Sequence, residues 1–146
     1  MRIVIAAIGK SRNEPEALLC DDYLTRARKA AAPLGISKIA LSVADVSRAA
    51  ETAARLRDEA QKLSGIIPAG SHLVVLDERG KSYPSTDFAA HLGRLRDGGV
   101  RDLVFAIGGP DGIDDIFRAG AQERLAFGVQ TWPHLLVRAL LAEQIY

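Results

Sequence analysis

Short apolar runs alternate along this chain with stretches in which apolar residues recur every three or four positions. Arg2 to Gly9 (RIVIAAIG) is continuously apolar and rich in β-branched residues, the pattern of a strand covered on both faces, as in a parallel sheet. Pro15 suits a first helical turn, and Leu19, Tyr23, Ala27, Ala30 and Leu34 then recur at helical spacing until Gly35 stops the run. Ile36 to Val43 predicts a second strand. Asp45 is a candidate N-cap for a helix through about Lys62, with Val46, Ala49, Ala53, Leu56 and Ala60 on one face. The opposite face carries Arg48, Glu51, Arg55, Asp58 and Glu59 and reads as a solvated surface laced with helical salt bridges. His72 to Asp77 (HLVVLD) predicts a third strand, followed by a turn, ERGK, and a helix from near Ser85 that buries Phe88, Leu92 and Leu95. Asp102 to Gly108 (DLVFAIG) is the fourth strand and runs into the loop Gly109-Pro110-Asp111-Gly112. A short helix around Asp114 to Gln122, a fifth strand from Leu125 to Val129, the loop Gln130-Thr131-Trp132-Pro133 and a last helix from His134 to Tyr146 complete the chain.

Strands that alternate with helices from end to end give a single α/β domain, its mostly parallel sheet of five to six strands flanked by helices. The last helix (HLLVRALLAEQIY) is apolar most of the way round, so it needs cover on more than one side. A second copy across a two-fold axis supplies that cover most simply, which predicts a homodimer through the C-terminal helix. Burial inside one subunit is the alternative, and it predicts a monomeric mass.

Composition narrows the function classes. At 146 residues the chain is long enough to bury roughly 70% of its unfolded surface in one core. With 48% hydrophobic and 25% charged residues, it is neither disordered nor a coiled coil. Nineteen Lys and Arg against eighteen Asp and Glu leave a net charge of +1, so no whole-molecule field draws in DNA or an anionic membrane. Arg94, Arg96, Arg101, Arg118 and Arg124 form no compact stripe and most of them read as solvated surface, which predicts weak binding to free RNA. Cys20 is the only cysteine, and His72, His91 and His134 lack metal-ligand spacing; a reducing, cytoplasmic setting without a metal is expected. The longest stretch without Asp, Glu, Lys or Arg, Leu63 to Leu76, is 14 residues and is broken by Gly65, Pro68 and Gly70, so no membrane span is expected. Lys10 and Arg12 directly follow the first apolar run, which therefore reads as a strand and not a signal peptide.

Three segments fall just past strand carboxyl ends, where open parallel sheets bind ligands: Leu76 to Lys81 (LDERGK), Ile107 to Gly112 (IGGPDG) and Val129 to His134 (VQTWPH). Gly80, Gly108, Gly109 and Gly112 remove side chains, which lets the backbone approach a ligand; on that reasoning Gly109→Leu should abolish binding. The loop lacks both the GxGxxG fingerprint and a P-loop ending, which disfavours phosphate binding. Asp77 is either a general base or a turn carboxylate, and Trp132 either core or pocket wall. No Gly-x-Ser-x-Gly elbow exists and Cys20 sits in the first helix, so covalent catalysis is disfavoured. What remains is a site of backbone and apolar groups, suited to a neutral or zwitterionic cofactor and to a reaction governed by positioning.

In this order and spacing, LDERGK, LVFAIGGPDG and FGVQTWPHLLVRALLAEQIY resemble the SPOUT methyltransferases, specifically the ribosomal RNA large subunit methyltransferase H family, over the whole of Met1 to Tyr146. The resemblance implies a C-terminal trefoil knot and a cofactor pocket completed at a dimer interface. It implies transfer of a methyl group from S-adenosylmethionine to N3 of a pseudouridine in the helix 69 stem-loop of bacterial large-subunit ribosomal RNA, presented in the ribosome. The cofactor positions it carries over are Leu76, Gly109, Val129, Gln130, Thr131, Trp132, Pro133 and His134. His134 and Arg138 are the candidates for helping with the proton transfer and the imide anion; starting the last helix is the other reading of His134, and a surface or inter-subunit salt bridge the other reading of Arg138. The family pattern continues past the tyrosine matched by Tyr146 with a short segment ending in His-Pro-Tyr-His-Arg, whereas this sequence stops at Tyr146. A non-catalytic α/β module that binds a nucleotide or the ribosome is the alternative reading.

Overall fold

The computed structural model describes all residues from Met1 to Tyr146. Five parallel strands, β1 (Arg2–Ile8), β2 (Lys38–Ala44), β3 (His72–Lys81), β4 (Asp102–Ile107) and β5 (Glu123–Leu125), form one sheet in the order β2-β1-β4-β3-β5. The helices are α1 (Pro15–Ala30), α2 (Thr52–Ile66), α3 (Ser85–Asp97), α4 (Asp115–Ala119) and α5 (His134–Ile145), and a 3-10 turn, Ala32–Leu34, follows α1. The fold class read from the sequence therefore holds, with five strands.

The unbroken apolar runs of β1 and β4 follow from a sheet covered on both sides. Ile3, Ile5 and Ala7 of β1 and Leu103, Phe105 and Ile107 of β4 face a core shared with Cys20 and Leu24 of α1, Phe88 and Leu92 of α3, and Leu141 of α5. The alternate residues Val4, Ala6, Ile8, Val104 and Ala106 meet Leu63 of α2 and Ile113 on the other face. No helix is long and apolar enough to cross a membrane.

Three boundaries differ from expectation. α2 begins at Thr52, because Asp45 pairs with Lys10 at 2.9 Å, and the segment after it is held by side chains of α2. Ser47 N–H donates to Glu59 Oε1 at 2.9 Å, and Arg55 donates to the carbonyls of Ala49 and Ala50. The expected turn ERGK instead extends β3, with a register shift between Leu76 and Lys81 against Leu125. Gly80 is required there, since a Cβ would lie 2.7 Å from the Arg124 carbonyl carbon. β5 stops at Leu125, leaving Ala126 to Pro133 as a long connection back across the sheet to α5.

Candidate functional site

α5 packs along α1, whereas β5 lies at the opposite edge of the sheet outside β3, so the connection between them must pass the carboxyl ends of β3 and β4. There it walls a cleft of about 740 Å³ together with Leu76 to Arg79 and the glycine loop Gly108 to Gly112. The cleft is within the usual size for a small-molecule site of roughly 300–1,000 Å³. Its floor is apolar, from Leu76, Ile107, Ile113, Leu125 and Val137.

The connection braces itself. Gly128 adopts φ +95°, open to glycine and strained for other residues, and Trp132 Nε1–H donates to the Phe127 carbonyl at 3.0 Å. Thr131 Oγ1 donates to Glu78 Oε2 at 2.6 Å and ties the connection to the end of β3. Among the expected cofactor positions Leu76, Gly109, Gln130, Thr131, Trp132, Pro133 and His134 line the cleft. Val129 does not; it is 88% exposed and points to solvent.

The glycine loop is glycine-rich for reasons that lie partly behind it. A Cβ on Gly109 would sit 2.9 Å from Ile8 Cγ2 and 3.1 Å from Glu59 Oε2, so a larger residue is excluded by the protein's own core and not only by a ligand. Gly109→Leu is thus a packing mutant. Gly112 N–H donates to the Gly109 carbonyl at 3.0 Å and closes the loop, with Gly112 at φ +90°. Glu59, assigned from the sequence to a solvated face, is buried at 2% exposure because its carboxyl group takes the Ser47 N–H.

Arg118 is not solvated surface either. Its guanidinium pairs with Asp77 at 2.7 Å and with Asp115 at 2.6 Å at the cleft wall. Burial raises the Asp77 carboxyl, but the Arg79 and Arg118 guanidinium groups outweigh it and leave the pKa below the ordinary carboxylate value. Asp77 also accepts Arg79 N–H at 2.9 Å, so it is the turn carboxylate of the two readings and a poor proton acceptor.

His134 opens α5 and lines the cleft, half-buried. Gly9 takes φ +97°, which favours glycine, and a Cβ there would stand 3.1 Å from His134 Nε2, so the ring would have to give way; no local sequence pattern marks this position. Burial, and then the neighbouring Arg138 cation, push the His134 pKa below its ordinary value. At neutral pH the imidazole is uncharged and keeps a nitrogen lone pair free to accept a proton. Arg138 does not line the cleft. It is buried at 4% exposure one turn further along, donates to the Ile8 carbonyl and leaves its Nε without a partner. Cys20 donates to the Arg138 carbonyl at 3.6 Å, and burial raises its thiol to about 11, so it stays an unreactive thiol. His72 and His91, isolated in sequence, meet on Glu123 at 2.6 and 2.7 Å and fasten β3, α3 and β5 together.

The family described as "Predicted SPOUT methyltransferase" matches residues 1–146. The chain is 47% identical to the ribosomal RNA large subunit methyltransferase H of Chelativorans sp. (strain BNC1), across 100% of this chain and 84% of that protein. It is 48% identical to the protein of the same name from Paracoccus denitrificans (strain Pd 1222), across 100% and 91%. Among solved structures, a probable methyltransferase from Bordetella pertussis Tohama I aligns with a TM-score of 0.50 at 15% identity, covering 98% of this chain and 93% of that one, a likeness of fold alone.

Proposed function

We propose, because this chain belongs to the SPOUT methyltransferase family, that its cleft binds S-adenosylmethionine and that it methylates N3 of a pseudouridine in the helix 69 stem-loop of bacterial large-subunit ribosomal RNA. The observation that carries the reading is the convergence on one cleft of every expected cofactor position except Val129. Family membership favours this enzyme over a non-catalytic module. The relatives named above are ribosomal RNA methyltransferases, which supports the substrate class.

The donor set fits the cofactor. Gly108, Gly109 and Gly112 present backbone donors and acceptors without side chains, as recognition of an adenine edge requires, and Leu76, Ile107 and Leu125 offer it an apolar bed. S-adenosylmethionine, when bound, supplies an electrophilic methyl group on a sulfonium. The chain supplies position and proton transfer. Trp132 and Pro133 wall the cleft and restrict water. His134, uncharged and at the cleft wall, accepts the N3 proton of the base, while Arg138, buried behind it and outside the cleft, holds the Ile8 carbonyl and with it the end of β1 and does not reach the imide. The cleft would hold N3 in line with the methyl–sulfur bond of the bound cofactor, so that formation of the N–C bond would accompany cleavage of the C–S bond and departure of neutral S-adenosylhomocysteine.

The C-terminal connection threads a trefoil knot in this reading, and two copies pair through α5. Leu18, Leu19 and Tyr146, on and beside the packed α1 and α5, are exposed apolar groups that support such a face. A base presented by the assembled ribosome in the cytoplasm compensates for the small net charge. Isothermal titration alongside solution mass tests the cofactor and the assembly. Saturable binding of S-adenosylmethionine to a dimer is expected, with no heat from ATP or NAD. A monomer, or equal binding of ATP, would remove that part of the account.

A further inference from the structure

One face of α2 carries charge into places where the sequence pattern predicts only solvent. Arg55 and Glu59 stand one helical turn apart and reach the same two partners, the non-helical segment before α2 and the glycine loop of the cleft. Arg55 Nε donates to Asp111 Oδ2 at 2.7 Å, and its other nitrogens donate to the carbonyls of Ala49 and Ala50 and to Thr52 Oγ1. Glu59 takes the Ser47 N–H on Oε1, while Oε2 is buried without a donor, 3.1 Å from where a Cβ on Gly109 would stand. A buried carboxyl oxygen with no donor is costly and calls for an explanation. Against Gly109 it serves as a backstop, and Ile8 closes the other side of the same glycine.

We infer that Arg55 and Glu59 are positioning residues for cofactor binding, a strut that holds the glycine loop in its binding-competent shape from behind. Glu59 fills the space beside Gly109 at the base of the loop, and Arg55 fixes its tip through Asp111. Neither Arg55 nor Glu59 lines the cleft, so neither touches the cofactor. The loop needs such support because it is rich in glycine and thus poor in intrinsic preference for one conformation. An unsupported loop lowers the fraction of molecules able to bind, and apparent affinity falls by that fraction.

The inference rests on the reading of the cleft as an S-adenosylmethionine site, and the test separates the two. Arg55 is only partly buried, at 24% side-chain exposure, so Arg55→Ala is expected to fold, and a parent-like thermal midpoint checks that it does. S-adenosylmethionine affinity is expected to fall about tenfold in Arg55→Ala as the competent fraction drops. Asp111→Ala should weaken binding to a similar degree in the parent and add nothing in the Arg55→Ala background, because the pair acts as a unit. In the ligand-free protein, the backbone amides of Gly109, Asp111 and Gly112 should exchange with deuterium faster in Arg55→Ala. Unchanged affinity in Arg55→Ala overturns the strut. So does an Asp111→Ala loss that is equal in both backgrounds, which would make Asp111 a direct ligand contact. If the parent protein does not bind S-adenosylmethionine, the cofactor reading fails, and the exchange experiment alone decides the strut: faster loop exchange upholds it and unchanged exchange ends it.

Discussion

Gly108→Ala is expected to destabilise the protein by about 3 kcal/mol and to abolish measurable cofactor binding, the cost of forcing one methyl group into a closed backbone contact. The Cβ would stand 2.2 Å from the Gly112 carbonyl oxygen and 2.6 Å from Ile113 Cγ1. The oxygen belongs to the backbone and cannot rotate away as a flexible side chain would. Relief requires parting the Gly109–Gly112 bridge that closes the loop, and the loop backbone then leaves the cleft wall. Gly93 is the internal comparison. It lies inside α3 with nothing within 4 Å of a Cβ, and Gly93→Ala should stabilise by about 0.5–1 kcal/mol through helix propensity. Chemical denaturation of the two variants, with a titration of each, measures the contrast. Equal stability and equal binding in Gly108→Ala would mean that the loop is not closed as described.

His134→Ala is expected to lower the rate of methyl transfer by about a hundredfold or more, the usual range for removal of a general base. The pH profile distinguishes this role from a contact. Burial and the Arg138 cation favour the neutral imidazole, so the base form that the proposed role requires of His134 is present at neutral pH and persists below the ordinary histidine pKa of about 6.5. The parent rate should therefore stay level as pH falls through that value and decline only further into acid. Without His134 the N3 proton must go to hydroxide, and the residual rate should rise steadily with pH across neutrality. A variant with the parent's profile and rate would assign the proton to another group.

The chain's architecture was legible where both neighbours of a segment were apolar. β1 and β4 announce themselves because every residue after the first is covered, on one face by α1, α3 and α5 and on the other by α2 and Ile113. The three segments chosen as lying past strand carboxyl ends do wall the cleft, but only Ile107 to Gly112 does so at a strand end; Leu76 to Arg79 lie within β3, and Gln130 to His134 follow β5 at a distance. Periodicity failed where tertiary partners overrule it. Nothing local distinguishes Glu59 from Glu51, yet Glu59 is buried because Ser47, 12 residues earlier, brings it an N–H. Arg55 finds Asp111 across 56 residues of sequence, a distance no helical wheel spans. The same partners hold Asp45 to Ala50 out of the helix for which Asp45 is the candidate cap. Polar Glu78 and Arg79 conceal the continuation of β3, which is set by pairing with Leu125. Gly9 is unmarked in the sequence because what favours it, a φ of +97° at the end of β1 and the His134 ring that arrives from the far end of the chain, exists only in the folded protein.

The most direct test of the proposed activity is transfer of a labelled methyl group from S-adenosylmethionine by this protein to bacterial ribosomes, followed by mapping of the label on the isolated RNA. Label is expected on a pseudouridine of the large-subunit RNA, in the helix 69 loop, with far less on the same RNA free of ribosomal protein. Label confined to another nucleotide, or no transfer by a protein that binds the cofactor, would contradict it.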